Sequence, residues 1–176
     1  MAATVITIIQ LQAMWTNLAA EAAGLAFTVL VVDVIRAKQN EEREKRDLIL
    51  QMGSPDNAFA REAVRRLRMR GWLYDGSVRG ANLFGADLHR ADLVGADLRG
   101  ARLCGADLRR ADLRLADLQM AALMSTKLQK ACLIGAKLSG AGLSEADLSG
   151  ARVTDEQLAQ AASLKSAALP DGTVHE

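Results

Sequence analysis

The chain has 176 residues, a formal net charge of +1 and a composition that is 50% hydrophobic but only 3% aromatic. A chain of this length holds one modest core with short attachments. Its nearly neutral charge gives no general attraction for nucleic acid, and the scarcity of aromatic residues removes the stacking groups of a single-strand binder.

The N-terminal segment, residues 1–35, is apolar, with no lysine or arginine and only two acidic residues, Glu21 and Asp33. Residues 16–35 would span about 30 Å as a helix, which is the thickness of a bilayer core. Trp15 precedes this stretch, and a group of basic residues begins at Arg36. The pattern predicts one transmembrane span with the N-terminus outside and the rest of the chain in the cytoplasm. The alternative is an apolar helix that packs on a partner or on a second copy of the chain.

Residues 36–72 predict a helical stalk followed by an N-terminal cap. Opposite charges at helical i,i+4 spacing, such as Glu41 and Lys45, favour a solvated helix over residues 36–52. Gly53 ends that helix. Ser54 is the expected N-cap of a second helix over about 55–70, with Pro55 at its first position.

The second helix is predicted to be amphipathic and to end at Gly71. Its expected apolar face consists of Phe59, Ala63, Val64 and Leu67. We expect this face to close the open end of the fold that follows. The alternative is a basic helix that lies on anionic lipid through its arginines.

From Leu83 to Leu158 a large aliphatic residue recurs every five positions, sixteen times, and all but Val153 are leucine. Alanine stands two positions before fourteen of these centres. A five-residue step rotates a side chain by about 140° on a helix and reverses its side on a strand, so neither element buries the series. A chain that bends once per repeat does bury it, which predicts a solenoid with Leu and Ala inside. Glycine two positions after seven centres suits a bend with positive φ.

The pattern A-[DN]-L-x-x, as in residues 86–90 and 96–100, resembles the pentapeptide-repeat family. The resemblance implies a mainly β protein, a right-handed quadrilateral β-helix with four pentapeptides per coil, in which residue i stacks on residue i+20. Leu73 and Val78 share the register, so we expect the β-helix over residues 73–153, with about four coils. Its first coil should be irregular, because Gly71 and Gly76 replace the alanine.

Residues 154–176 predict a short C-terminal capping helix and a tail. Thr154 and Gln157 have the spacing of a capping box, so a helix over about 155–163 is expected. The five-residue spacing then stops, with Ser163 where a centre is due. A turn at residues 170–172 and a loose tail should follow.

No residue pattern indicates an enzyme, a cofactor or a metal site. The histidines, His89 and His175, have no neighbours spaced as metal ligands or as a nucleophile and its base. Seven aspartates immediately precede centres, and we expect them to accept hydrogen bonds from backbone amides at the bends. Cys104 and Cys132 fall on different sides of the solenoid, so no disulfide is expected and a reducing compartment fits.

Stacking of i on i+20 would place two notable columns on the surface. The first, a candidate interaction surface, consists of Phe84, Cys104 and Met124. The second, a candidate basic column that could hold an acidic partner or phosphate, consists of Arg90, Arg110 and Lys130 with Arg109 and His89 beside them. The alternative for the second is a solvated edge partly neutralised by Asp87 and Asp107.

These features favour a membrane-anchored, non-enzymatic scaffold or protein-interaction module on the cytoplasmic face, with a protein partner whose identity the sequence does not specify. A homo-oligomer is compatible with it. The alternative, suggested by the resemblance, is a soluble DNA mimic that binds a type II topoisomerase such as gyrase. That function requires an acidic surface, whereas residues 81–154 contain ten Lys and Arg against eight Asp and Glu.

Overall fold

The computed structural model describes the backbone of residues 2–176 and the side chains of residues 14–18 and 20–176. Expectations about the side chains of residues 1–13 lie outside these described residues. The chain divides into two compact units, Met1–Arg43 and Glu44–Glu176. Within the described residues the helices are α1 (Ala2–Met52), α2 (Asn57–Met69) and α3 (Asp155–Leu158).

The first unit contains α1 as far as Arg43, and the chain is helical across the apolar segment as expected. Apolar side chains of residues 14–18 and 20–35 are exposed, among them Trp15, Leu25 and Phe27. The helix contains an 18-residue window with a mean hydropathy of 2.0, none of which is buried. By length and composition it could cross a membrane, a test that a signal sequence near the N-terminus also passes.

The second unit begins with the last turns of α1, whose Leu48 and Met52 are buried in the core. The α2 helix buries Ala60, Ala63, Val64 and Leu67, which follow the i, i+3, i+4, i+7 spacing of one helical face. The prediction that Phe59 belongs to this face was wrong, since its side chain is 63% exposed. Ala60 takes its place because the small side chain lets the helix approach the core closely.

The ends of α2 are set by local capping. Asp56, and not Ser54, is the N-cap, because its carboxylate accepts hydrogen bonds from the amides of Ala58 at 2.8 Å and Phe59 at 3.2 Å. The Ser54 hydroxyl instead accepts a hydrogen bond from the Asp56 amide. Gly71 has φ +77 and forms a Schellman motif, in which the amide of Trp72 donates to the carbonyl of Leu67 at 2.9 Å.

The segment before the repeats pairs with the exposed edge of the first coil. The amide of Asp87 donates to the carbonyl of Ser54, and the amide of Asp97 donates to the carbonyl of Leu73, both at 2.9 Å. The Asn57 side-chain amide donates to the carbonyls of Asp87 and His89. Backbone groups that would otherwise form an open sheet edge are therefore satisfied.

The repeats form a four-sided solenoid whose sides are single-residue parallel bridges. These bridges join residues twenty apart, from Asn82 and Arg102 to Cys132 and Arg152. A period of five therefore gives four pentapeptides per coil. Centres from Leu83 to Leu148 and nearly all their alanine partners are buried. Thr126 replaces one alanine, and its hydroxyl donates to the carbonyl of Leu103 at 2.8 Å.

Hydrogen bonds between coils follow the same period. In one repeat the amides of Leu108 and Arg110 donate to the next coil, and the amide of Asp107 donates to the preceding one. The amide after the centre is left over, and the Asp107 carboxylate accepts it at 3.1 Å from Arg109. As expected, the aspartates before the centres serve the bends, because this contact is an Asx turn and six of the seven make it.

The C-terminal segment differs from its prediction. The α3 helix has the expected capping box but spans only Asp155–Leu158. The solenoid then resumes with bridges between residues twenty-one apart, Gly142 to Ser163 and Asp147 to Ala168. One inserted residue, absorbed at α3, shifts the register. The five-residue spacing therefore breaks after Leu158 and resumes at Leu164 and Leu169, each with alanine two positions earlier, and the fold continues past residue 153.

The last residues are also more ordered than the predicted loose tail. The chain turns at residues 170–172, with φ +87 at Gly172. Val174 pairs antiparallel with Ala168, and the amide of His175 donates to the carbonyl of Ala167 at 2.8 Å. The tail therefore covers part of the final edge.

Substitution of Leu108 by alanine should lower the free energy of unfolding by about 2–5 kcal/mol, because this fully buried side chain fills the middle of the stack. Denaturant unfolding followed by circular dichroism measures the change. Leu115→Ala is the matched control: Leu115 is 67% exposed, so its substitution should change the free energy by no more than about 0.5 kcal/mol. Equal effects of the two substitutions would contradict an interior built from the leucine centres.

Candidate functional site

The corners of the solenoid stand two positions after each centre and carry outward side chains. The backbone there is left-handed, and from residue 85 to residue 150 seven of the fourteen corners hold glycine. Corners at Arg90, Arg110 and Lys130 have φ between +57 and +60 without being glycine. A non-glycine residue in this conformation costs roughly 1–2 kcal/mol. The three residues stack in successive coils at one corner of the solenoid.

These corner residues line a cavity of about 510 Å³, which we call the basic concavity. Its lining consists of His89, Arg90, Arg109, Arg110, Gln129 and Lys130. The structure therefore brings together the whole candidate basic column. It adds Gln129, which sequence reasoning missed although it stacks twenty residues after Arg109.

Within the basic concavity one cation is neutralised and three are not. Arg109 donates to both carboxylate oxygens of Asp107, with an Nη2–Oδ2 distance of 2.5 Å. Burial would raise the pKa of Asp107, but the hydrogen bonds from Arg109 outweigh it and leave that pKa below its usual value. Among the side chains that the structure describes, no ion pair or hydrogen bond engages Arg90, Arg110 or Lys130.

Two polar atoms of the same concavity are buried without a hydrogen-bond partner, His89 Nδ1 and Gln129 Oε1. The other end of the Gln129 amide is engaged, because Nε2 donates to Asp147 Oδ2 at 2.5 Å. That carboxylate determines the orientation of the amide, since a flipped Gln129 would place two acceptors against each other. The unsatisfied atom is therefore Oε1, on a residue that lines the concavity.

A second cavity, of about 430 Å³, lies between α2 and the first coil and shares Arg90 with the basic concavity. Its other arginines include Arg65, which pairs with Glu62 at 2.8 Å, and Arg68, which pairs with Asp92. Two of the four arginines that line this cavity are therefore paired within the fold.

The candidate interaction surface is partly as predicted from the sequence. Phe84 is 69% exposed and Met124 is 49% exposed, whereas Cys104 is half-buried with its Sγ 3.7 Å from the carbonyl of Ala122. Leu115 and Met120, which stand at corners, are also exposed, and sequence reasoning missed them. The sequence signal for these exposed side chains is a leucine or methionine that stands outside the five-residue series of buried centres.

The described side chains include no group of three or more His, Cys, Asp or Glu placed to hold a metal ion. Cys104 and Cys132 are both free thiols. The aspartates that stack one coil apart, such as Asp87 and Asp107, are each engaged by donors of their own repeat.

Residues 81–119 and 121–155 match the family model of pentapeptide repeats, in eight copies. Proteins of this family fold as right-handed quadrilateral β-helices. A search of curated proteins finds no match to the chain.

Several solved structures are similar to part of the chain. HetL, a pentapeptide repeat protein involved in heterocyst differentiation regulation in the cyanobacterium Nostoc, is 40% identical over 56% of this chain and 42% of its own, with a TM-score of 0.44. A pentapeptide repeat protein from the cyanobacterium Cyanothece is 33% identical over 56% of this chain and 63% of its own, also with a TM-score of 0.44. The chain therefore spans less than two thirds of either relative.

Substitution of Arg110 by glycine should raise the free energy of unfolding by about 1 kcal/mol, because glycine adopts the left-handed corner without steric cost. Arg110→Ala retains the strain and should bring no such gain. Denaturant midpoints of the two variants measure the difference. Stabilisation by alanine as large as that by glycine would show that charge repulsion, and not backbone strain, is relieved.

Proposed function

We propose that this pentapeptide-repeat protein is a non-enzymatic interaction module, held at the cytoplasmic face of a membrane by α1. The exposed apolar surface of α1 is the observation that carries the membrane part. The described side chains of its apolar window are all outside the core, so the fold itself provides no burial for them. A bilayer removes such a surface from water, as an apolar helix of this length requires.

The distribution of charge supports the proposed orientation. Residues 14–32 carry one acidic residue, Glu21, and Asp33 lies at the end of the apolar stretch, three residues before Arg36. Basic residues are concentrated after Arg36, and such residues remain on the cytoplasmic side of a span. The repeats would then lie in the cytoplasm, where free thiols such as Cys104 and Cys132 stay reduced.

The interaction part of the proposal rests on the outward side chains of the solenoid. Phe84 and Met124 stand exposed in one column, and contact with a partner would remove them from water. The interior is filled with leucine and alanine, so ligands have access only to the walls. A DNA mimic would need acidic walls, whereas arginine engages Asp97, Asp107 and Asp112 here.

The membrane anchor is tested by carbonate extraction of membranes from cells that produce the full chain. We expect the chain to stay in the pellet. Leu25→Asp with Phe27→Asp should release it, because a carboxylate in mid-bilayer costs about 2.5–3.5 kcal/mol. Leu50→Asp is the matched control, since this exposed leucine of α1 follows the apolar window. Release of the unaltered chain, or loss of an N-terminal tag by cleavage, would overturn the anchor.

The interaction surface is tested by affinity capture from detergent-solubilised membranes. The unaltered chain should retain a partner that Phe84→Ser with Met124→Ser loses, because the double substitution removes the apolar column. Leu115→Ser with Met120→Ser removes exposed apolar side chains outside this column, at two corners, and should leave the capture unchanged. If the variant with Phe84→Ser and Met124→Ser captured the same proteins as the unaltered chain, this column would be excluded as the binding surface.

A further inference from the structure

We propose that the basic concavity binds a small polyol that carries a phosphate group, either as a soluble molecule or as a lipid headgroup. The proposal concerns the repeats alone and does not depend on the membrane anchor. It rests on three features of the same six residues: unpaired positive charge, strained backbone and unsatisfied buried polar atoms.

Positive charge is concentrated in the basic concavity, where no described side chain of the fold forms an ion pair with Arg90, Arg110 or Lys130. Arg90, Arg110 and Lys130 belong to three successive coils, and coils of a β-helix are about 4.8 Å apart, so the cations are distributed over about 10 Å. The neighbouring carboxylates are already engaged, Asp107 by Arg109 and Asp87 by Asn57. Guanidinium groups bind phosphate oxygens through charge-assisted hydrogen bonds, which makes a phosphate the fitting ligand.

The backbone strain is also concentrated at this corner. Among the described corners it is the one where three successive coils replace glycine, and all three replacements are cations. At the corner with Ser125 and Glu145, two successive non-glycine residues instead bind each other at 2.8 Å. Glycine in the three basic positions would be more stable, so these cations lower the stability of the fold, a cost that binding of an anion would offset.

The unsatisfied atoms define the rest of the ligand. Gln129 Oε1 is an acceptor, and a phosphate dianion offers it no hydrogen, whereas a hydroxyl group does. His89 Nδ1 can donate to a phosphate oxygen when it carries the proton. A ligand with both a phosphate and a hydroxyl group therefore satisfies the cations and both buried atoms. The cavity of about 510 Å³ is within the usual range for small molecules.

The test is calorimetric titration of the full chain in a neutral detergent with glycerol 3-phosphate and with inorganic phosphate. We expect saturable binding of both, tighter for glycerol 3-phosphate. The triple variant Arg90→Gly, Arg110→Gly, Lys130→Gly should bind each probe at least roughly tenfold more weakly, because hydrogen bonds to charged groups are lost. Glycine suits these corners, so misfolding would not explain that loss. Leu115→Gly with Met120→Gly is the matched control and should bind normally.

Gln129→Ala isolates the hydroxyl contact. It should remove the preference for glycerol 3-phosphate over inorganic phosphate while leaving the affinity for inorganic phosphate unchanged. A general structural role of Gln129 would instead weaken both probes equally, and that result would overturn the assignment of a polyol.

The two sources of the phosphate are separated in nanodiscs. Phosphatidylglycerol in the disc should weaken binding of glycerol 3-phosphate if a lipid headgroup occupies the site, whereas phosphatidylserine, of equal charge but without a polyol, should not. Unchanged binding in all discs identifies a soluble ligand. Absence of saturable binding of glycerol 3-phosphate to the unaltered chain in detergent, or equal binding by the triple glycine variant, overturns the proposal.

Discussion

Burial of one leucine and one alanine in every five residues is the constraint on which the structure depends. An extended backbone sends residues five apart to opposite sides, so the chain must turn at every repeat to keep the centres inside. Each turn places one residue in the left-handed region and leaves one amide without a partner in the next coil. The carboxylate of the aspartate before the centre accepts a hydrogen bond from that amide. This role explains why aspartate so often occupies the position immediately before a centre.

The same geometry separates the side chains that serve the fold from those that do not. Arginines directly after a centre, such as Arg99, Arg109 and Arg114, bind the aspartate two residues earlier and neutralise it. Among the described side chains, the corner residues Arg90 and Arg110 form no such pair. A glycine corner is therefore the stable default, and a charged or apolar corner adds a surface property at the expense of stability.

The sequence predicts the regular part of this fold and misses its exceptions, for physical reasons. A repeated leucine is buried in every coil, so its period identifies the solenoid. A single inserted residue before Leu164 is absorbed by α3. The spacing of five then resumes at Leu164 and Leu169, a signal that an unbroken count from Leu83 misses. Phe59 is exposed because the smaller Ala60 occupies the buried position on α2. Asp56 is the N-cap because its carboxylate, and not the Ser54 hydroxyl, accepts hydrogen bonds from the free amides of Ala58 and Phe59. The basic column follows from i+20 stacking alone, but the role of Gln129 depends on Asp147, which lies in another repeat.

Hydrogen-bonding groups are satisfied more completely at the two ends of the solenoid than on its walls. At the first edge Ser54 and Leu73 supply carbonyls to unpaired amides, and at the last edge residues 173–175 return to pair with residues 166–169. Buried side-chain polar atoms of the described residues are almost all bonded, and the two exceptions, His89 Nδ1 and Gln129 Oε1, both line the basic concavity. A buried polar atom without a partner costs about 1–3 kcal/mol, so these two atoms are the buried side-chain positions where a hydrogen bond from a bound ligand would stabilise the fold most.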